Sequence, residues 1–189
     1  MTPTTRQAAL WIGLTCALLA VAVGAVAWWY RHPAVNQAQA LLVRPPIDAY
    51  MHQNGVQMGL GDVMDAGLKP ELFCYANIIE IRADGPRWHV GMTLNCGDYA
   101  RRGNTLFEAD MGYFDAVAEV IIHGHDRNPK VLSLDLGLPG YDPAWVYQNF
   151  SSLAARWLLS TDPPTAPDPV SLARQALGFP PGTPAVQVP

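Results

Sequence analysis

Residues 121–128 read IIHGHDRN, and the two histidines and the aspartate within four positions, His123, His125 and Asp126, are side chains that ligate transition metals. A catalytic zinc site takes three protein ligands and keeps one position open, so further ligands would have to come from His89, Asp98 or Asp110 elsewhere in the chain. No H-E-x-x-H, second histidine pair or C-x-x-C accompanies the run. The preceding residues offer a structural account instead. Phe114, Val117, Ala118, Ile121 and Ile122 recur at i, i+3, i+4, i+7 and i+8, which predicts a helix over Tyr113–His123. Gly124 then ends that helix, His123 sits at its negative dipole end, and His125 to Asn128 form a polar loop. On that reading neither a metal nor any other cofactor is expected.

Other chemistry is thinly represented. There is no G-x-S-x-G, and Ser133, Ser151, Ser152 and Ser160 all fit strand or helix surfaces. Glu108 and Asp110, two apart on an expected strand, share a face that acid–base catalysis could use and that a solvated strand equally presents. Arg101 and Arg102, beside Gly103, could clamp a phosphate or carboxylate, and with Trp88 and Tyr141 they are the candidate binding residues. No catalytic residue is assigned, and an enzyme is not expected.

The elements that would position these residues begin with Cys74–Cys96, which reads as two β-strands around ADGPR. Pro86 lacks the N–H that would close a two-residue Asp84-Gly85 loop, so a longer loop centred on Gly85 is expected. That centre pairs Arg82 with Trp88, Glu80 with Val90, Ile78 with Met92, Ala76 with Leu94, and Cys74 with Cys96. Directly opposed cysteines fall within the separation a disulfide spans, so a Cys74–Cys96 bond is expected, contributing on the order of 3 kcal/mol.

Upstream, Pro33–Leu42 could be helical until Pro45-Pro46 stops it, and Pro46 could start a second short helix that ends at Gly55. Thr105–Tyr113 alternates as a strand, and so does Lys130–Leu138, with Leu132, Leu134, Leu136 and Leu138 on one side. Asp142 as N-cap and Pro143 in the first turn open a helix through about Leu159. The last 30 residues hold eight of the 17 prolines and read as a mostly extended tail, interrupted by one short helix between Asp168-Pro169 and Gly178.

The N-terminus carries a different signal. Ala8 to Tyr30 is 23 residues without a charge, bracketed by Arg6 and Arg31, and as a helix it would reach about 34 Å against a hydrocarbon core of about 30 Å. Trp28, Trp29 and Tyr30 resemble an interfacial aromatic belt, which favours a retained anchor over a signal peptide cleaved after Ala27. The expected organisation is a flank (1–7), a transmembrane anchor (8–30), a linker or helix extension (31–46), an α+β domain (47–159) and a proline-rich tail (160–189). The domain is expected to hold a mainly antiparallel sheet of about four strands with helices packed on one face. Disulfide and anchor together predict a single-pass inner-membrane protein with its C-terminal domain outside the cytoplasm.

Two of the 12 basic residues and none of the 16 acidic ones lie in the first 32 positions, leaving the remainder at a net −6. Such a surface repels nucleic acid and suits a basic protein partner, the bilayer being engaged only through residues 8–30. The functional expectation is a protein-binding module, most concretely an immunity or inhibitor protein against an envelope-acting toxin or hydrolase. The alternatives are an accessory subunit of an envelope or secretion complex, and an exported metal-dependent hydrolase using His123, His125 and Asp126.

Overall fold

The computed structural model describes residues 18–19, 21–22, 35–55, 68–122, 128–137, 142–160 and 166–187. The fold is mixed α+β. Three long strands, β1 (Glu71–Asp84), β2 (Arg87–Arg102) and β3 (Thr105–Ile122), form an antiparallel meander. On the outer side of β3 lie two more strands: antiparallel β4 (Pro129–Leu136) along its C-terminal half, and parallel β5 (Ala185–Gln187) along Leu106–Glu108.

The expected anchor is not supported. Within 8–30 only Leu18, Leu19, Val21 and Ala22 are described, as helix, and among the described residues no helix is long and apolar enough to cross a membrane. An apolar run of spanning length is a necessary condition. A span also needs one unbroken helix that satisfies every backbone group inside hydrocarbon. The inner-membrane placement and the bilayer as a partner are therefore withdrawn.

In the first hairpin Cys74 faces Cys96, Ala76 faces Leu94 and Ile78 faces Met92, and the disulfide joins Cys74 to Cys96. Nearer the turn the expected register is one residue off, because Arg82 faces His89 and Asp84 faces Arg87. The loop is the two-residue Gly85-Pro86, closed by the N–H of Arg87, so the missing proline donor is never needed. Gly85 has φ +56°, and a proline at the second central position excludes positive φ there, which together specify a type II′ turn. A bulge between Ile78 and Glu80 absorbs the odd residue and restores the register at the disulfide.

The helix predicted over Tyr113–His123 is a strand as far as it is described, through Ile122: Phe114 to Ile121 pair with Leu94 to Arg87 on one side, and Ala116 to Ile122 with Leu136 to Pro129 on the other. A strand covered on both faces carries apolar residues at nearly every position, so helical spacing turns up in it by coincidence. Its Val117, Val120, Ile121 and Ile122 favour the pleated state.

Helices cover both faces of the sheet, not one. On the first face lies α1 (Gln37–Asn54), whose Val43, Ile47 and Met51 pack with Ala76, Ile78, Met92, Leu94, Ala116 and Ala118. It runs unbroken through Pro45 and Pro46, where a stop was expected. Asn36 caps it, accepting from the N–H groups of Ala38 and Gln39, and the three fully buried side chains, at about 1.5–3 kcal/mol each, offset the lost backbone bonds. On the second face lie α2 (Pro143–Asn149), α3 (Ser152–Leu158) and α4 (Val170–Ala176). Asp142 caps α2 as expected, but the single helix predicted through Leu159 is broken at Phe150, and Ser151 caps α3. The C-terminal residues belong to the fold: Ala173 and Phe179 pack with Tyr99 and Leu106, and β5 joins the sheet.

Candidate functional site

Strand register sorts the second face into successive rows across the sheet. One row near the turn of the first hairpin is Arg82, His89, Glu119 and Ser133, one residue from each of four strands. Next come Glu80, Gly91, Val117 and Asp135, then Asn77, Thr93 and Asp115, then Tyr75, Asn95 and Tyr113. Further along, the row Glu71, Tyr99 and Glu108 lies under the α4 end of the sheet.

The α2–α3 corner occupies the second row, and a buried acid fixes it there. Glu80 is 6% exposed, and its carboxylate accepts the Ser151 N–H at 3.0 Å and pairs with Arg82 Nε at 3.3 Å. Arg82 in turn donates to the Asn149 carbonyl at 2.6 Å. Gly91 allows the close approach: a Cβ there would lie 2.6 Å from the Phe150 ring. One glycine, one acid and one aromatic thus seat both helices over the middle of the face.

On the outer side of that corner opens a groove of about 280 Å³, floored by the Arg82–His89–Glu119–Ser133 row and walled by Asp135, Gln148 and Asn149. Glu119 holds Arg87 at 3.1 Å. Among the described residues the side chains of His89, Ser133, Asp135 and Gln148 have no hydrogen-bond or ion-pair partner within the chain. A serine–histidine–acid relay requires the imidazole between hydroxyl and carboxylate. Here Glu119 stands between Ser133 and His89, so the row does not assemble a nucleophile with its base. It can instead offer donors and acceptors of both signs to a ligand laid across the strands.

On the inner side of the corner the face is polar at its centre. Asn95 donates through Nδ2 to the Tyr113 hydroxyl at 3.0 Å and to the Pro167 carbonyl at 3.2 Å. Burial pushes the Asp115 carboxyl above the ordinary 3.8. Toward the other end the buried Tyr99 hydroxyl lies 3.2 Å from Glu108 and 3.3 Å from Asp168, and burial first, then the two carboxylates, raise its pKa far above that of a free phenol. Asp168 also accepts the Val170 N–H at 2.8 Å, so this contact holds α4 in place.

The residues singled out from sequence are dispersed. His123, His125, Asp126 and Tyr141 lie outside the described residues, as does the side chain of Asp110. Among the described residues no three His, Cys, Asp or Glu side chains gather as a metal site. Arg101 is a staple for the C-terminal segment, donating to the Leu177 carbonyl at 2.7 Å and stacking over Phe179. Arg102 lies over Phe107, Trp88 packs against the α1 core, and Asp98 is buried. Among the described residues, His89 is the one proposed ligand that reaches the groove. The rest of the groove was missed because the one-residue register error faced Arg82 with Trp88, and because reading β3 as a helix removed the middle of every row.

Comparison with known proteins finds no matching family model, no matching curated protein and no matching solved structure.

Proposed function

We propose that the protein is a non-catalytic protein-binding module whose outer groove receives a segment of a basic partner. The observation that carries this reading is the set of four polar side chains, His89, Ser133, Asp135 and Gln148, that face a 280 Å³ groove without partners among the described residues. Polar groups kept solvated and unpaired cost little in the free protein and are ready to exchange water for a ligand's donors and acceptors. The net −6 carried beyond residue 32 steers a basic partner toward this surface. The most concrete form of the reading is an inhibitor or immunity protein that occludes a toxin or hydrolase, because such a role needs a complementary surface and no reaction centre.

The test is capture of a stoichiometric partner by the wild-type domain and comparison with Asp135→Lys and Gln148→Ala. A charge reversal facing a basic segment weakens binding by at least about tenfold, whereas the neutral truncation costs less. Capture by Asp135→Lys at wild-type affinity, with both proteins folded by circular dichroism, would remove the groove from the interface.

A further inference from the structure

The inner polar block on the second face is a site in its own right, separate from the groove. Thr93 is 5% exposed and Asn95 is 0% exposed, yet the Thr93 Oγ1 and Asn95 Oδ1 atoms are buried without a hydrogen-bond partner. The orientation of the Asn95 amide is settled by its surroundings. The Pro167 carbonyl only accepts, so Nδ2 must face it and Oδ1 is the amide atom left buried without a partner. Asp115 stands directly opposite Thr93 on the same face, half-buried, and its carboxylate has no partner among the described residues. Asn77 flanks Thr93 on the β1 side, and the half-exposed Tyr113 flanks Asn95 on the β3 side.

Counting the hydrogen-bonding capacity shows what is missing. Both Nδ2 hydrogens of Asn95 are spent, on Tyr113 and Pro167. The Asp115 carboxylate and the Asn95 carbonyl oxygen only accept, while the Thr93 hydroxyl and the neighbouring Asn77 amide can each accept and donate, so acceptors remain in surplus. An unsatisfied buried acceptor costs about 1–3 kcal/mol, so two of them beside the half-buried Asp115 carboxylate call for a donor-rich, positively charged guest. A primary ammonium supplies three donors, no acceptor and one compact charge, whereas a guanidinium spreads five donors in a plane.

The geometry points to a binding site for a primary ammonium group, held by Asp115, Thr93 and Asn95, with the partly exposed Tyr113 and Asp115 on its solvent side. The group is carried either by a small alkylamine or by a lysine side chain of a protein ligand. Its probes are n-butylammonium, N-acetyl-lysine methylamide, and tetramethylammonium as a cation of equal charge that has no N–H to donate.

Titration of the isotope-labelled full chain with each probe, followed by amide NMR, tests the site. n-Butylammonium is expected to give saturable shifts centred on Thr93, Asn95 and Asp115, with a dissociation constant on the order of 1 mM. Tetramethylammonium should leave those resonances in place. The lysine derivative separates the two sources: matching shifts assign the site to a protein side chain, and shifts from butylammonium alone assign it to a free amine. Asp115→Asn and Thr93→Val, both nearly isosteric, should each weaken n-butylammonium binding at least tenfold with the fold retained. Equal shifts from tetramethylammonium, no saturable response to n-butylammonium, or unchanged binding by Asp115→Asn would overturn the proposal.

Discussion

Asp115 is where burial and charge are most directly opposed. Its carboxyl is raised above 3.8 by desolvation alone, so the folded state holds the proton more tightly than the unfolded chain does. Stability linked to this group is therefore greatest below the unfolded value and is lost as pH rises through the folded one. Asp115→Asn is expected to raise the midpoint of thermal unfolding at neutral pH and to flatten its decline with pH above 4, read by calorimetry across a pH series. Thr93 makes a parallel case without charge: replacing its unpartnered hydroxyl by the methyl of Thr93→Val should stabilise by about 1 kcal/mol in urea unfolding. Gly91 is the converse. A methyl placed 2.6 Å from the Phe150 ring has nowhere to go, because Glu80 hydrogen-bonds the next residue, Ser151, so Gly91→Ala should cost about 1–3 kcal/mol in the same assay.

At the level of elements, local signals succeeded where the cause was local. Asp142 and Pro143 open α2 because a cap and a fixed φ act within one turn, whereas Cys74 meets Cys96 as expected because the bulge between Ile78 and Glu80 cancels the one-residue register difference at the turn. They failed where distant contacts decided. α1 passes through two prolines because the core beneath it buries Val43, Ile47 and Met51, and the residues of β3 look helical until β2 and β4 are laid beside them. The disulfide ties β1 to β2 at the end of the hairpin away from the turn, across a separation of 22 residues. Cys74→Ala with Cys96→Ala is expected to lower the unfolding free energy by about 2–4 kcal/mol, with the strands still formed by circular dichroism.

For the whole molecule, the sheet edges and the C-terminal segment set the limits of the domain. At one edge Arg44 Nη1 donates to the Ala76 carbonyl of β1 at 2.9 Å, and at the other β4 carries Pro129, Lys130 and a bulge that turns Leu132 out to 42% exposure. These are features that discourage edge-to-edge pairing, and they leave the groove, rather than a bare strand, as the surface suited to a partner. The segment 166–187 closes the far end, covering Tyr99 and Leu106, which are both 0% exposed. Truncation after Ser160 should therefore lower the thermal midpoint and raise binding of a hydrophobic dye, where loss of an unattached tail would change neither. Read by itself, the sequence determined the strands of the first hairpin and its disulfide, the cap of α2 and the acidic balance of the chain, since each depends on neighbours in sequence or on composition. Only the tertiary structure decided that β3 is a strand, that helices cover both faces, and that His89, Glu119 and Ser133 form one row while Thr93, Asn95 and Asp115 form one block. The physical reason is that a row across a sheet is made of residues far apart in the chain, and a shift of one position in any strand turns that strand's contribution to the opposite face.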